Sequence, residues 1–345
     1  MAERFDPALE PNEPNRHGYI VEIDPANSVS RPRKHTALGR FKHENCEMVM
    51  ARDGHIVAYV GDDEREKHLY KFVSSGTYRP VMDNPSRLLE DGILHAARFD
   101  DGGTGVWLAL TPDATGMDKA EICINTRLAA TAAGATTMDR PEWVAANPQV
   151  AEAYCCLTNN KDRGKSGQPV NGVNSRPNNQ YGQIVRWISA RGNHASRNFK
   201  WGLFVMVGNP NVHQDAYAGS SNITSDNMFN SPDGLTFDSQ GRLWIQTDGN
   251  YSNTGDFSEM GNNQMMLADA GTSAICRFLV GPKECEVTGV TWSPDHKTMF
   301  VGIQHPGERH PHTCHFPGDG ASVPRSSVIA IEKAGWLGLG RAVVG

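Results

Sequence analysis

An all-β fold of the propeller type is predicted by three features of the sequence. A short pattern recurs four times, short strand signals outnumber helical ones, and the connections are polar and rich in glycine and proline. The four copies are HENCEMVMARDGHIVAYVGDD (43–63), RPEWVAANPQVAEAYCCLTNN (140–160), SPDGLTFDSQGRLWIQTDG (231–249) and CEVTGVTWSPDHKTMFVGIQHPGE (285–308). Each opens on an acid (Glu44, Glu142, Asp233, Glu286), continues through an apolar stretch and a polar turn, and ends in a β-rich run centred on Tyr59, Tyr154, Trp244 or Phe300. Internal repeats of this kind signal propellers or solenoids. Four copies predict about four blades, taken as part of a larger, six-bladed propeller.

Residues 1–16 read as a linker, 17–335 as one propeller domain incomplete at its N-terminal side, and 336–345 as a Gly-rich tail. The first strand is expected at 17–23, ending at Asp24-Pro25. The first repeat leads into a strand at 67–73. Strands at 92–99 and 105–110 flank the turn Asp100-Asp101-Gly102-Gly103. The Ala-rich segment 120–133 reads as a helix ended by Gly134. Residues 161–180 and 213–229 carry Gly, Asn and Pro without periodicity and form long loops, which inside a compact domain are often functional. Further strands are expected at 184–188, 203–207 and 327–331.

With 345 residues, 38% hydrophobic and 21% charged, the chain can bury a substantial core. No apolar run approaches 18 residues, so no membrane span is predicted. A net charge of −6 without a basic stripe excludes nucleic acid as a partner. The odd count of seven cysteines, with no CxxC pair, argues against a zinc ribbon, a redox pair or a complete disulfide framework. No signal peptide follows Met1: either the chain is cytoplasmic or its natural beginning lies upstream.

The repeated acid carries the chemistry. The innermost strand of a propeller blade faces a central channel, so four carboxylates at one repeat position converge on one axis. Two carboxylates about 6 Å apart repel by roughly 3 kcal/mol at an effective dielectric near 20. Four of them either take up protons or hold cations, and an oxygen-only site suits hard cations such as calcium. A turn cap or a surface arginine accounts for any one acid alone; four in register favour a metal site.

Other motifs carry less. Gly164-Lys165-Ser166 is not a phosphate loop, because position 159, where the first glycine belongs, is Asn. His310, His312, Cys314 and His315 lack zinc-ligand spacing. The run 100–105 resembles a calcium loop without its closing acid and reads as a hairpin turn. No Gly-x-Ser-x-Gly elbow supports a serine hydrolase. Arg40, Lys42, Asn159, Asn160, Asp248, His305, Glu308 and Arg325 border the repeats. Carboxylate-held metal flanked by Arg, Lys and Asn donors suits phosphoryl chemistry, in which metal neutralises the oxyanion and cations hold the remaining oxygens.

The strings NRHGYIVEIDP (15–25), TALGRFKHE (36–44), RPEWVAANP (140–148), YCCLTNN (154–160), NQYGQIVRW (179–187), SPDGLTFDSQGRLWIQTDG, EVTGVTWSPDHKTMFVGIQHPGE and PRSSVIAIEK (324–333) together resemble the PhoX-type alkaline phosphatases, the DUF839 group, over nearly the whole chain. The resemblance implies a propeller phosphatase with Ca2+ and Fe3+ at its centre, exported folded to the periplasm or beyond, monomeric, and acting on small phosphoesters. It implies Glu44, Asp233, Glu286 and Glu142 as metal-site acids, Lys42 at a phosphate-contacting position, and Asn160 and Arg325 as further catalytic residues. Members are about twice this length, so the chain resembles their C-terminal part, and weak or absent activity is expected unless the missing half is supplied. Cys46 does not match the place of the family's cysteine ligand. Two other functions compete: a calcium-dependent lactonase on a similar propeller, and a non-catalytic, metal-stabilised binding propeller.

Overall fold

A computed structural model describes residues 6–82, 84–165 and 167–333; the expected tail 336–345 lies outside them. The described residues are mostly β, with α-helix confined to Pro112–Thr115, Lys119–Ile124 and Thr126–Ala132. Nine strands form the largest sheet. Their order is Pro141–Ala146, Glu152–Leu157, Gln183–Ser189, Asn198–Met206, Thr104–Ala109, Gly92–Asp100, Leu69–Thr77, His55–Gly61 and Glu47–Met50. A four-stranded sheet follows in chain order (Pro232–Phe237, Arg242–Thr247, Gln264–Asp269, Ile275–Val280), then a three-stranded one (Glu286–Trp292, Thr298–Gln304, Ser327–Glu332). Two-stranded pairings join Ile20–Glu22 to Arg33–His35 and Arg65–Lys67 to Met138–Asp139.

Each sequence repeat is an antiparallel hairpin. The first pairs Glu47 with Tyr59, the third pairs Pro232 with Thr247, and the fourth pairs Glu286 with Gln304. The about four expected blades do not appear as four separate sheets among the described residues. The first two repeats belong to one nine-stranded sheet, and only the third opens a four-stranded antiparallel meander. Strands 55–61, 69–77, 92–100 and 104–109 pair antiparallel in chain order, and Thr104–Ala109 pairs on with Asn198–Met206, so pairing continues past four strands.

The chain divides into two compact units, one of Met1–Cys155, Gly164–Ser175 and Arg186–Gly202, the other of Cys156–Arg163, Arg176–Val185 and Leu203–Gly345. In the first, Leu38, Phe41, Val60, Tyr70, Phe72 and Leu94 form a core that the helices cover with Ile122, Ala129 and Ala130. Coverage of both faces explains why Leu69–Thr77 begins with four consecutive buried residues instead of alternating. In the second, Trp244, Met265, Val287, Met299, Val301 and Ile303 pack together.

The single helix expected at 120–133 is two. Asp118 caps the first, accepting from the Glu121 amide at 2.8 Å while the Glu121 carboxylate accepts from the Asp118 amide at 2.8 Å. Asn125 then leaves the helical region (φ −108°, ψ 42°). The Thr126 hydroxyl donates back to the Ile122 carbonyl at 2.8 Å and accepts from the Arg40 amide at 2.9 Å, holding the break in place.

Candidate metal centre

Glu44 and Glu142 enter the site from two hairpins of the first unit. Glu44 precedes its strand and donates its amide to the Gly61 carbonyl at 3.4 Å. Glu142 is the second residue of Pro141–Ala146 and only 1% exposed. Side chains standing in for a strand ladder bring the two together. Asn45 donates to the Val144 carbonyl at 2.8 Å and accepts from the Val144 amide at 3.0 Å, and Glu47 accepts from the Ala146 amide at 3.0 Å. The approach is close enough that a Cβ on Gly61 would lie 2.0 Å from the Glu142 carbonyl oxygen. Carboxylate oxygens of Glu44 and Glu142 consequently lie within 4.8 Å of each other.

A third acid and one cation complete this cluster. The Arg140 guanidinium contacts Asp63 at 2.6 Å and Glu142 at 2.9 Å, and the Trp143 indole donates to Glu44 at 3.1 Å. Burial raises the pKa of Glu44 and the Asp63 charge raises it further, against the Trp143 bond, the Arg140 charge and a hydrogen bond from Glu142. Burial also opposes the charge on Asp63, but hydrogen bonds from Arg140 and Glu142 and the charges of Arg140 and Lys42 outweigh it, so its pKa falls. Among the contacts described, the three carboxylates share the Arg140 guanidinium, and burial with the Asp63 charge disfavours a bare charge on Glu44, which a proton or a cation would balance. The donors are all oxygen, which fits a hard cation such as calcium.

Lys42, also in the first unit, is largely exposed and pairs with Glu64 at 3.1 Å. Arg40 is pinned to the Ile124 carbonyl at 3.1 Å and to Asn15 at 3.2 Å. In the second unit, Asp233 is 5% exposed and sits at an irregularity between the pairs Pro232–Thr247 and Leu235–Ile245. Glu286 accepts from Gln304 at 2.8 Å and faces His305 at 3.4 Å. Asn160, fully buried, closes a turn: its amide donates to the Asn179 carbonyl at 2.6 Å and its side chain accepts from the Asp162 amide at 3.0 Å. Arg325 is exposed, and its amide donates to the Phe316 carbonyl at 3.0 Å.

Sequence reasoning missed Asp63, Arg140 and Trp143, although all three lie inside the repeated strings. Their signal is positional, since each stands within two residues of Glu142 or at the end of the Glu44 hairpin. The remaining motifs resolve as structure. His310 bonds Glu284 at 2.6 Å, and that carboxylate also accepts the Arg309 and His310 amides. Pairing of Asp100 with Thr104 makes 100–104 a hairpin turn. Burial pushes the Cys46 thiol up to about 12, keeping it protonated at neutral pH.

The alkaline phosphatase PhoX family matches residues 1–307. The structure is similar to that of Pseudomonas fluorescens PhoX in complex with vanadate, a transition-state analogue, with 53% sequence identity and a TM-score of 0.92 over 96% of this chain. The chain spans 60% of that structure's length. A Xanthomonas campestris gluconolactonase follows at 12% identity and a TM-score of 0.38, over 86% of this chain and 60% of that one. No curated protein matches the sequence. On the first two matches, the chain belongs to the alkaline phosphatase PhoX family.

Proposed function

We propose that this protein hydrolyses small organic phosphomonoesters at a centre of Ca2+ and Fe3+, with Glu44, Glu142, Asp233 and Glu286 as the metal-holding acids. The observation that carries this reading is the pair of half-buried Glu44 and buried Glu142, within 4.8 Å, in a member of an alkaline phosphatase family whose solved relative binds vanadate. Bound metal supplies charge neutralisation of the phosphoryl oxygens and an activated oxygen nucleophile. The protein's own residues supply burial, orientation and counter-charge. Arg140 bridges Asp63 and Glu142, and the Trp143 indole orients Glu44. Lys42, Asn160 and Arg325 are proposed contacts to the phosphoryl group or its surroundings. Exchange of Lys42 from Glu64 to an incoming anion is inexpensive, because exposed pairs contribute about 0–1 kcal/mol.

The hairpins with their leading acids support the reading of propeller blades. We take the protein to be a monomer, and a place in the periplasm or outside the cell accords with the family. No helix among the described residues is long and apolar enough to cross a membrane.

The test is hydrolysis of p-nitrophenyl phosphate at alkaline pH with calcium and iron supplied. Chelator-sensitive turnover is expected, falling roughly a hundredfold or more in E142Q. Turnover indifferent to chelator, or unchanged in E142Q, would refute the metal-site assignment. A folded protein that binds calcium without turnover would instead favour a binding propeller.

A further inference from the structure

The third and fourth repeats share more than their acid. Each second strand carries Ile-Gln at the same place, Ile245-Gln246 and Ile303-Gln304. In the fourth repeat Gln304 pairs with Glu286 across the hairpin, and its amide donates to the Glu286 carboxylate at 2.8 Å. In the third, the register shifts between Pro232–Thr247 and Leu235–Ile245, so Asp233 and Gly234 together stand opposite Gln246. Such bulges re-aim side chains beside functional sites. Gly234 leaves room for the Gln246 amide, since a Cβ there would lie 2.6 Å from its Oε1.

Yet Gln246 is fully buried, and among the described residues neither its Oε1 nor its Nε2 has a hydrogen-bond partner. A buried amide with both ends unmet is rare in folded proteins and calls for a bound group. We propose that Gln246 is a further oxygen donor of the metal centre, its side-chain carbonyl serving the cation that Asp233 holds. This rests on the metal-site reading above. A neutral amide oxygen is a common calcium ligand and adds no charge to an already acidic site.

Calcium titration of the full chain by calorimetry, with thermal unfolding in chelator and in calcium, tests this. Wild type, D233N, Q246L and Q246E are compared. Q246L is expected to bind calcium about tenfold more weakly. In chelator it should unfold at or above the wild-type temperature, because an unmet amide has been replaced by an apolar group. Q246E, which keeps an oxygen, should restore affinity. If D233N weakens calcium binding while Q246L does not, the inference about Gln246 falls and the metal site stands. If neither substitution alters calcium binding, both fall. A Q246L that fails to fold is replaced by Q246M. Failure of both would show that the amide serves the fold, and would overturn the proposal.

Discussion

Removing the one guanidinium of the carboxylate cluster should destabilise the protein in a way that calcium repairs. Arg140 stands 2.6 Å from Asp63 and 2.9 Å from Glu142. Each contact has a gross attraction of roughly 4 kcal/mol at an effective dielectric near 20. The Asp63 side chain is 25% exposed and its share is screened; Glu142 is buried at 1% and loses its 2.9 Å guanidinium contact in R140M. Removing one partner of a buried ion pair costs about 3 kcal/mol. Arg140 has a left-handed backbone (φ 61°), but methionine carries the same strain, which cancels from the comparison. The assay is urea and thermal unfolding of R140M against wild type, in chelator and in saturating calcium. In chelator R140M should melt roughly 5–10 °C lower. Calcium should narrow that gap, since a cation takes over the counter-charge and binds the more negative cluster more tightly. Equal stability in chelator, or a gap that calcium leaves untouched, would refute the electrostatic argument.

Three further outcomes follow from the geometry. G61A places a methyl 2.0 Å from the Glu142 carbonyl oxygen and forces the backbone to move, a loss of about 3 kcal/mol in urea unfolding. Asp238 accepts from the Gln240 and Arg242 amides, the Arg242 side chain and the Trp244 indole. Those bonds and the Arg242 charge overcome burial and lower its pKa. A depressed carboxyl stabilises the fold above its unfolded pKa and loses that contribution as pH falls through the folded one. D238N should therefore be about 1–3 kcal/mol less stable than wild type at pH 7, with the difference shrinking from about pH 4 downward and gone once pH has fallen below the folded pKa. K42A removes only an exposed pair with Glu64 and should change stability by less than about 1 kcal/mol, so any large fall in phosphate-ester turnover would report a contact with substrate.

Much of this was legible one residue at a time. The strand at 327–331 and the hairpin around 100–104 emerge within a residue or two of expectation because alternation and glycine turns are local signals. The repeat exposed Glu44 and Glu142, whose carboxylates the fold brings within 4.8 Å. Asp63 and Arg140 escaped because neither occupies the repeated acid position. Their meeting depends on a pairing of 43–47 with 142–146 that no local pattern encodes. The helix break at Asn125 escaped for a related reason: alanine-rich propensity is overridden by a threonine hydroxyl that also serves the Arg40 amide, 86 residues away in sequence.

What the sequence by itself determined is the β class, the hairpin at each repeat and the family, since periodicity, turn residues and family strings are written along the chain. The tertiary structure alone decided that Glu44 and Glu142 come within 4.8 Å of each other, that strand pairing runs on to nine rather than stopping at four, and that Lys42 and Arg325 face solvent. The physical reason is range. Strand propensity and turns act over a few residues, whereas a carboxylate's charge state depends on every group within a few ångströms, wherever in the chain those groups originate.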